Sequence, residues 1–406
     1  MNNDFRPSST PAPDEEFRSG GTPVAGGPLS GLRIIEFAGL GPAPFCAMML
    51  ADHGAEVIRI DRLGSDSNSI GVPVKVDLVN RSRRSLSLNL KSPEGLAVAR
   101  AFVRTADGLV EGFRPGVMER LGLGPDVLIN ENPKLVYGRM TGWGQTGPNK
   151  SAAGHDINYI ALSGALHGIG LADTRPIPPL NLVGDYGGGA MMLAFGMVAA
   201  FLHAQKTGSG QVVDAAMING AAVLTTAFHS LLAGGEWIEK RGSNVLDTGA
   251  PFYDTYETAD GLYVSVGAIE APFYRILIEK LGVADDPVLQ AQYDRAAWPE
   301  QRLRLARIFK TKTRTEWDEV LSGSDACYAP VLSMSEAAHH PHNIAVGAFI
   351  DVNGTLQPAP TPNYSHSRTR VPTPLNLGDD ITRDLLTEIG LDQAKIDDLI
   401  RDNVVA

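Results

Sequence analysis

The sequence predicts an α/β protein, with a Rossmann-like large domain built on a parallel sheet and a smaller α+β domain after it. Three observations carry that expectation. From Leu32 onward, short β-branched apolar runs alternate with longer helical runs, the pattern of βα units that lay parallel strands between two helix layers. Farther along, Phe252–Glu270 alternates strand-like residues about Asp260-Gly261, a hairpin signal that belongs to an antiparallel sheet. The 406 residues are 43% hydrophobic, 20% charged and 7% aromatic, an ordinary globular makeup at more than the ~100–200 residues of one domain.

Residues 1–27 are polar and rich in Pro and Gly, without the apolar core of a targeting signal, and are expected to be a disordered tail. "LRIIEFAG" then reads as a strand, "GLGPAP" as a turn, "FCAMMLADHG" as a helix closed by Gly54, and "EVIRIDR" as a second strand. "RSLSLNL" is the third. Ser92-Pro93-Glu94 opens the next helix, with Ser92 as its cap and Pro93 in its first position, and "AVARAFVRTA" is its body. "GLVEGF" and "LVYGRMTGW" are further strands, and beyond Ala190 the texture is helical to about Gly235. The expected division is a large α/β domain over 28–215, a helical linker over 216–249, the small domain over 250–331, and over 332–406 a linker with a C-terminal return to the large domain.

Charge and cysteine usage narrow the function. The formal charge is −11, yet Pro28–Lys150 carries 15 Lys/Arg against 12 Asp/Glu, so the excess acid lies elsewhere. Such a chain lacks the wide basic field that nucleic-acid backbones require, whereas a few arginines can still hold a small polyanion. Cys46 and Cys327 form neither a disulfide framework nor a multi-cysteine metal site, and they suit a reducing cytoplasm. The uncharged run Ala215–Gly235 approaches membrane-spanning length, but Asn219, His229, its hydroxyls and an internal glycine make it a buried helix, so no membrane contact is expected. His339, His340 and His342 crowd together without a carboxylate or cysteine at ligand spacing; no metal is expected there.

Gly39-x-Gly41 between a strand and a helix, with Asp61 at the end of the next strand, imitates a dinucleotide fingerprint. Pro44 replaces the third glycine. Arg62 follows Asp61 at once and suits phosphate better than a ribose hydroxyl, so NAD is not expected.

"GPLSGLRIIEFAGLGPAPFCAMMLADHGAEVIRIDR", "EGFRPGVMERLGL", "RMTGWGQTGPNKSAAGHDINYIALSG", "PPLNLVGDYGGGAMM" and "GQVVDAAMINGAAVL" together resemble the family III CoA-transferase superfamily, and within it the α-methylacyl-CoA racemase branch. The resemblance implies that family's fold and an interlocked homodimer, with an acyl-CoA thioester as substrate and no separate cofactor. It implies phosphate contacts from Arg62, Arg114 and Arg120, with Leu40, Val110 and Met140 near the adenine and Gly154, Asp156 and Tyr159 near the pantetheine and thioester end. Guanidinium groups match phosphate oxygens bidentately, which suits the arginines to that task. Arg81, Arg83 and Arg84 stay unranked.

Racemisation beside a thioester removes a weakly acidic α-proton from one face and returns one to the other, so it calls for two bases. By the resemblance these are His155 and Asp185, with backbone N–H groups around Asp156 aimed at the enolate oxygen and Glu270 reaching the site from the neighbouring subunit to orient the histidine. The three glycines after Asp185 are expected to let the backbone approach the ligand, and Asn181 is a candidate support. The rival activity is CoA transfer, in which Asp185 would be a nucleophile forming an acyl-enzyme. Transferases of the superfamily resemble "GYD" where this chain has "GHD", and a tyrosine, with its ordinary pKa of about 10, is a poor proton acceptor near neutral pH.

Overall fold

The computed structural model describes residues 26–64 and 71–406; most of the expected tail lies outside them. The chain forms two compact units. The first comprises Met1–Ser163, Leu180–Leu224 and His340–Ala406, and the second Gly164–Pro179 and Thr225–His339. The division differs from the expected one in three places: residues 164–179 join the second unit, the expected helical linker 216–249 is shared between the two, and the second unit runs on past residue 331 to His339.

The first unit is built on six parallel strands: β1 (Arg33–Phe37), β2 (Glu56–Arg62), β3 (Arg83–Leu88), β4 (Gly108–Glu111), β5 (Val136–Thr141) and β6 (Val212–Ala216). Their order, β3-β2-β1-β4-β5-β6, is the doubly wound arrangement, whose crevice opens where the order reverses beside β1. Helix α1 (Pro42–Asp52) follows Gly41, which takes a positive φ of 71° that its lack of a side chain permits. Helix α2 (Pro93–Arg104) starts as expected, the Ser92 hydroxyl accepting from the Gly95 N–H at 3.0 Å. The short helices α3 (Val117–Arg120) and α4 (Pro125–Glu131) lead into β5.

Helix α5 (Asp156–Leu162) is followed, after the excursion into the second unit, by a π-helix over Leu182–Ala190 that runs into α6 (Met191–Thr207). Leu182–Thr207 is the one helical run among the described residues long and apolar enough to cross a membrane by length and composition. One side of it packs on the sheet through Leu193, Met197 and Phe201. Ala215–Gly235 is not one buried helix. It holds the end of β6, a short helix α7 (Met217–Leu224) and, in the second unit, an exposed helix α8 (Thr226–Ala233).

Each face of the sheet has its own core. Ile34, Val57 and Val110 pack under α1 and α6, while Ile58, Leu88, Phe102 and Tyr137 pack on the other side. That second core is completed by the last part of the chain, through Leu385, Leu386, Ile396 and Leu399.

Buried charges tie the strands together. Arg83 and Glu36, both without exposed side-chain surface, form an ion pair at 2.7 Å across the sheet, off the line of a straight hydrogen bond. Arg81 is held by Asp52, and Arg84 bridges Glu56 and Glu388. All three unranked arginines are therefore engaged by carboxylates of the chain itself.

The second unit has a three-stranded antiparallel sheet, β7 (Tyr253–Glu257), β8 (Tyr263–Gly267) and β9 (Tyr328–Pro330). The expected hairpin joins the first two, with Gly261 at a φ of 77° in its turn. Helix α9 (Ala271–Lys280) follows, and an aromatic core of Phe252, Tyr274, Trp298, Phe309 and Trp317 fills the unit.

Candidate active site

The loop after β5 prepares the histidine. Gly142 and Gly154 leave the space that the Tyr159 ring fills, since a Cβ on Gly142 would overlap that ring. The Tyr159 hydroxyl donates to the Gly154 carbonyl, and Trp143 meets the ring edge-on at 4.7 Å between centroids. This packing delivers His155, exposed and in extended backbone, to the N-cap of α5. Its N–H donates to Asn158 Oδ1 at 3.0 Å, and its carbonyl accepts from the Asn158 N–H at 2.8 Å.

Asp156, the next residue, is buried. Its Oδ1 accepts from the Asp185 N–H at 2.7 Å, so the side chain of the first α5 residue grips the π-helix. Gly184 makes the contact possible, because a Cβ there would lie 2.5 Å from Asp156 Oδ1. Asn181 Nδ2 donates to Asp185 Oδ2 at 3.2 Å, and Gly41 lies against the same carboxyl group. Phe45 of α1 stacks on Tyr186 at 4.4 Å, fixing the π-helix from a third side.

Burial pushes the Asp185 carboxyl above the usual carboxylate range. The hydrogen bond from Asn181 opposes this, the Asp156 charge adds to it, and His155 opposes it, which places the imidazole within electrostatic reach of the carboxylate. The glycines after Asp185 allow close packing on neighbouring elements. Gly188 lies directly on α7, where a Cβ would stand 2.5 Å from the Ala221 nitrogen, and Gly189 would meet Met217.

A cleft of about 660 Å³ opens at the carboxyl ends of β1 to β4. Leu40, Arg62 and Lys91 line it on one side, and Phe113, Val117 and Leu121 on the other. Leu40 is 69% exposed and can cover a flat ligand. Arg114 and Arg120 are exposed on the segment that forms the second wall, and Arg114 is near enough to Tyr159 to favour its ionised form, against the burial that raises its pKa. Val110 and Met140 are 0% and 2% exposed, and their side chains belong to the core beneath α1 and α6, leaving their main chain to meet a ligand. Asp61 is engaged by Arg59 at 2.9 Å and by the Ser85 hydroxyl at 2.6 Å. Glu270 caps α9 in the second unit, near Cys327, whose thiol it helps push up after burial.

The model of CoA-transferase family III matches residues 29–377. The chain belongs to that family. It is 45% identical over 381 residues to a mouse protein named alpha-methylacyl-CoA racemase, covering 93% of this chain and 97% of that one. It is 46% identical to the human protein of the same name over 335 residues, 82% of this chain and 86% of the other. The fold matches a crystal structure of a CAIB/BAIF family protein from Brucella suis with a TM-score of 0.77 at 21% identity, over 90% of this chain and all of that one.

Within this family III chain the structure brings together His155, Asp156, Asp185, Tyr159 and Gly154, with Asn181 as the carboxylate's donor. Among the described residues no group of three His, Cys, Asp or Glu side chains is placed to hold a metal ion. Sequence reasoning missed Lys91 on the cleft and the charges that fix its far wall. The signal for Lys91 was its place just past a strand's carboxyl end, where open α/β sheets bind ligands.

Proposed function

We propose that the protein inverts the α-carbon of 2-methylacyl-CoA thioesters by two-base proton transfer through an enolate. The observation that carries this reading is the pairing of His155 with Asp185, a histidine and a carboxylate of raised pKa delivered by separate elements to one electrostatic neighbourhood. A carboxyl group ionised only above the usual range is a stronger base, better matched to a weak carbon acid. One group takes the α-proton while the other, in its protonated form, supplies a proton to the opposite face. The substrate's enantiomer decides which does which. The N–H groups of the first α5 turn, around Asp156, meet the developing oxyanion. The names of the mouse and human relatives support the same reading.

In this scheme Arg62, Arg114 and Arg120 hold the phosphates of the CoA moiety in and beside the cleft, and Leu40 covers the adenine. The active species is a homodimer in which Glu270 of one copy completes the site of the other. The exposed stripe Met191, Phe195, Val198 and Leu202 along α6 supports that assembly, because this spacing gives one apolar helix face and Phe195 is 75% exposed on it. The chemistry needs no cofactor, and the protein works in the cytoplasm.

Incubation in D₂O with a single enantiomer of a 2-methylacyl-CoA and no acceptor acid tests the reading. Deuterium should enter the α-position as the sample moves to the racemate. Absence of exchange, together with movement of CoA to an added carboxylate, would replace it with acyl transfer through Asp185.

A further inference from the structure

We propose that Arg139 is a positioning residue for acyl-CoA recognition, holding the segment that carries Arg114 and Arg120 against the cleft; this rests on the phosphate assignment above. Arg139 stands in β5, buried, in register with Glu111 of β4 on one side and Asp214 of β6 on the other. Neighbours in register on parallel strands share a face, so the three form a carboxylate–guanidinium–carboxylate row at the strand ends where ligands bind.

From that row the guanidinium reaches into the segment at two points. Its Nε contacts Glu111 Oε1 at 3.0 Å and its Nη1 contacts Glu119 Oε1 at 2.8 Å. The other Glu111 oxygen accepts from the Phe113 N–H at 2.8 Å, so one carboxylate holds both the arginine and the turn that leads into Arg114. Glu119 immediately precedes Arg120. Two residues back along β5, Tyr137 lies 5.8 Å from the Arg139 guanidinium and donates its hydroxyl to the Leu123 carbonyl at 2.9 Å. The segment is thus pinned to a single strand at its entrance, its middle and its exit.

Phe113, Val117 and Leu121 from this segment form one wall of the cleft. Exposed arginines on a free loop would lose conformational freedom on meeting phosphate, and a preset loop avoids much of that cost. The row also extends the other way. Burial pushes the Asp214 carboxyl above the usual carboxylate range, and the Arg139 charge opposes that rise.

The experiment compares Arg139→Met and Glu119→Gln with the wild type on two substrates, a 2-methylacyl-CoA and the matching pantetheine thioester, which lacks the nucleotide. α-Proton exchange in D₂O is the readout. For Arg139→Met the KM for the full CoA ester should rise about tenfold with kcat nearly unchanged, and the pantetheine thioester should be handled as by wild type. Glu119→Gln should show the same selectivity with a smaller rise. Its side chain is 45% exposed, so it decides the matter if Arg139→Met fails to fold.

Arg114→Ala and Arg120→Ala are measured beside them. Selective losses in these two, with none in Arg139→Met and Glu119→Gln, would overturn the role of Arg139 and leave the phosphate assignment standing. Equal losses on both substrates in the Arg139 and Glu119 variants would reduce the network to general structural support and also overturn it. No selectivity in Arg114→Ala and Arg120→Ala would remove the phosphate assignment and this inference with it.

Discussion

Replacing Gly188 by alanine should damage catalysis more than stability, and the structure sets the scale of both. The added Cβ would stand 2.5 Å from the Ala221 nitrogen, 2.9 Å from the Gly220 carbonyl carbon and 3.0 Å from the Val183 oxygen, all of them backbone atoms. Ordinary contact begins at 3.4 Å, so the π-helix and α7 must part by about 0.9 Å, the difference between 3.4 and 2.5 Å. Overpacking against atoms that cannot swing aside costs ~3 kcal/mol, and the better helix propensity of alanine returns ~1 kcal/mol. A net loss of ~2 kcal/mol lowers the melting midpoint by ~4–8 °C in a unit of this size. Asp185 lies three residues away in the same π-helix, and a shift approaching 1 Å at a reacting group can reduce the rate by up to ~100-fold. The assays are thermal unfolding and α-deuterium exchange at a temperature where the variant is folded. Gly234→Ala is the control, since its Cβ meets atoms no nearer than 3.4 Å at a negative φ. Wild-type exchange and midpoint in Gly188→Ala would refute the packing argument.

Three further outcomes follow from the same geometry. Asn181→Ala removes a donor that favours the ionised Asp185, so the pKa rises further; because Asp185 works as a base only when ionised, the acid limb of exchange by that base should move to higher pH, and a pH–rate profile that stays in place would remove Asn181 from this role. Arg83→Met leaves Glu36 buried without its partner and should cost ~3–5 kcal/mol in denaturant unfolding, whereas Arg84→Met, whose bridges are partly exposed, should cost ~1 kcal/mol; equal losses would count against the buried pair as the difference. Co-expressed His155→Ala and Glu270→Ala chains should regain part of the activity that each lacks alone, because a mixed dimer contains one site free of both lesions; purified mixed dimers without recovery would place each site within a single chain.

Much of the first unit was legible in the sequence because its strands are short β-branched runs set off by glycine, proline and a capped helix. The strand β6 was not. Val212–Ala216 is an edge strand lying between an apolar helix and another apolar run, so local pattern merged all three into one helical texture. The same limit hid the break between α7 and α8. His155 and Asp185 were legible through motif resemblance, but the reason for the glycines beside Asp185 was not, since only the fold reveals that α7 lies on them. Val110 and Met140 lie in the core, so burial of their side chains was also not legible from the motif. Arg139 escaped notice because a charged residue in a strand announces nothing until its neighbours in register are known.

The interrupted make-up of the first unit orders events during synthesis. Residues 340–406 leave the ribosome only after the greater part of the second unit, yet they carry Leu385, Leu386, Ile396 and Leu399, which cover Phe102 and Leu88 on the finished sheet. Until then one face of the nascent sheet stands partly bare, at a time when the second unit, whose main segment runs unbroken through Thr225–His339, can already pack its own aromatic core. The larger unit, first to begin, is therefore the last to close, and its uncovered apolar face is where a chaperone would engage the growing chain.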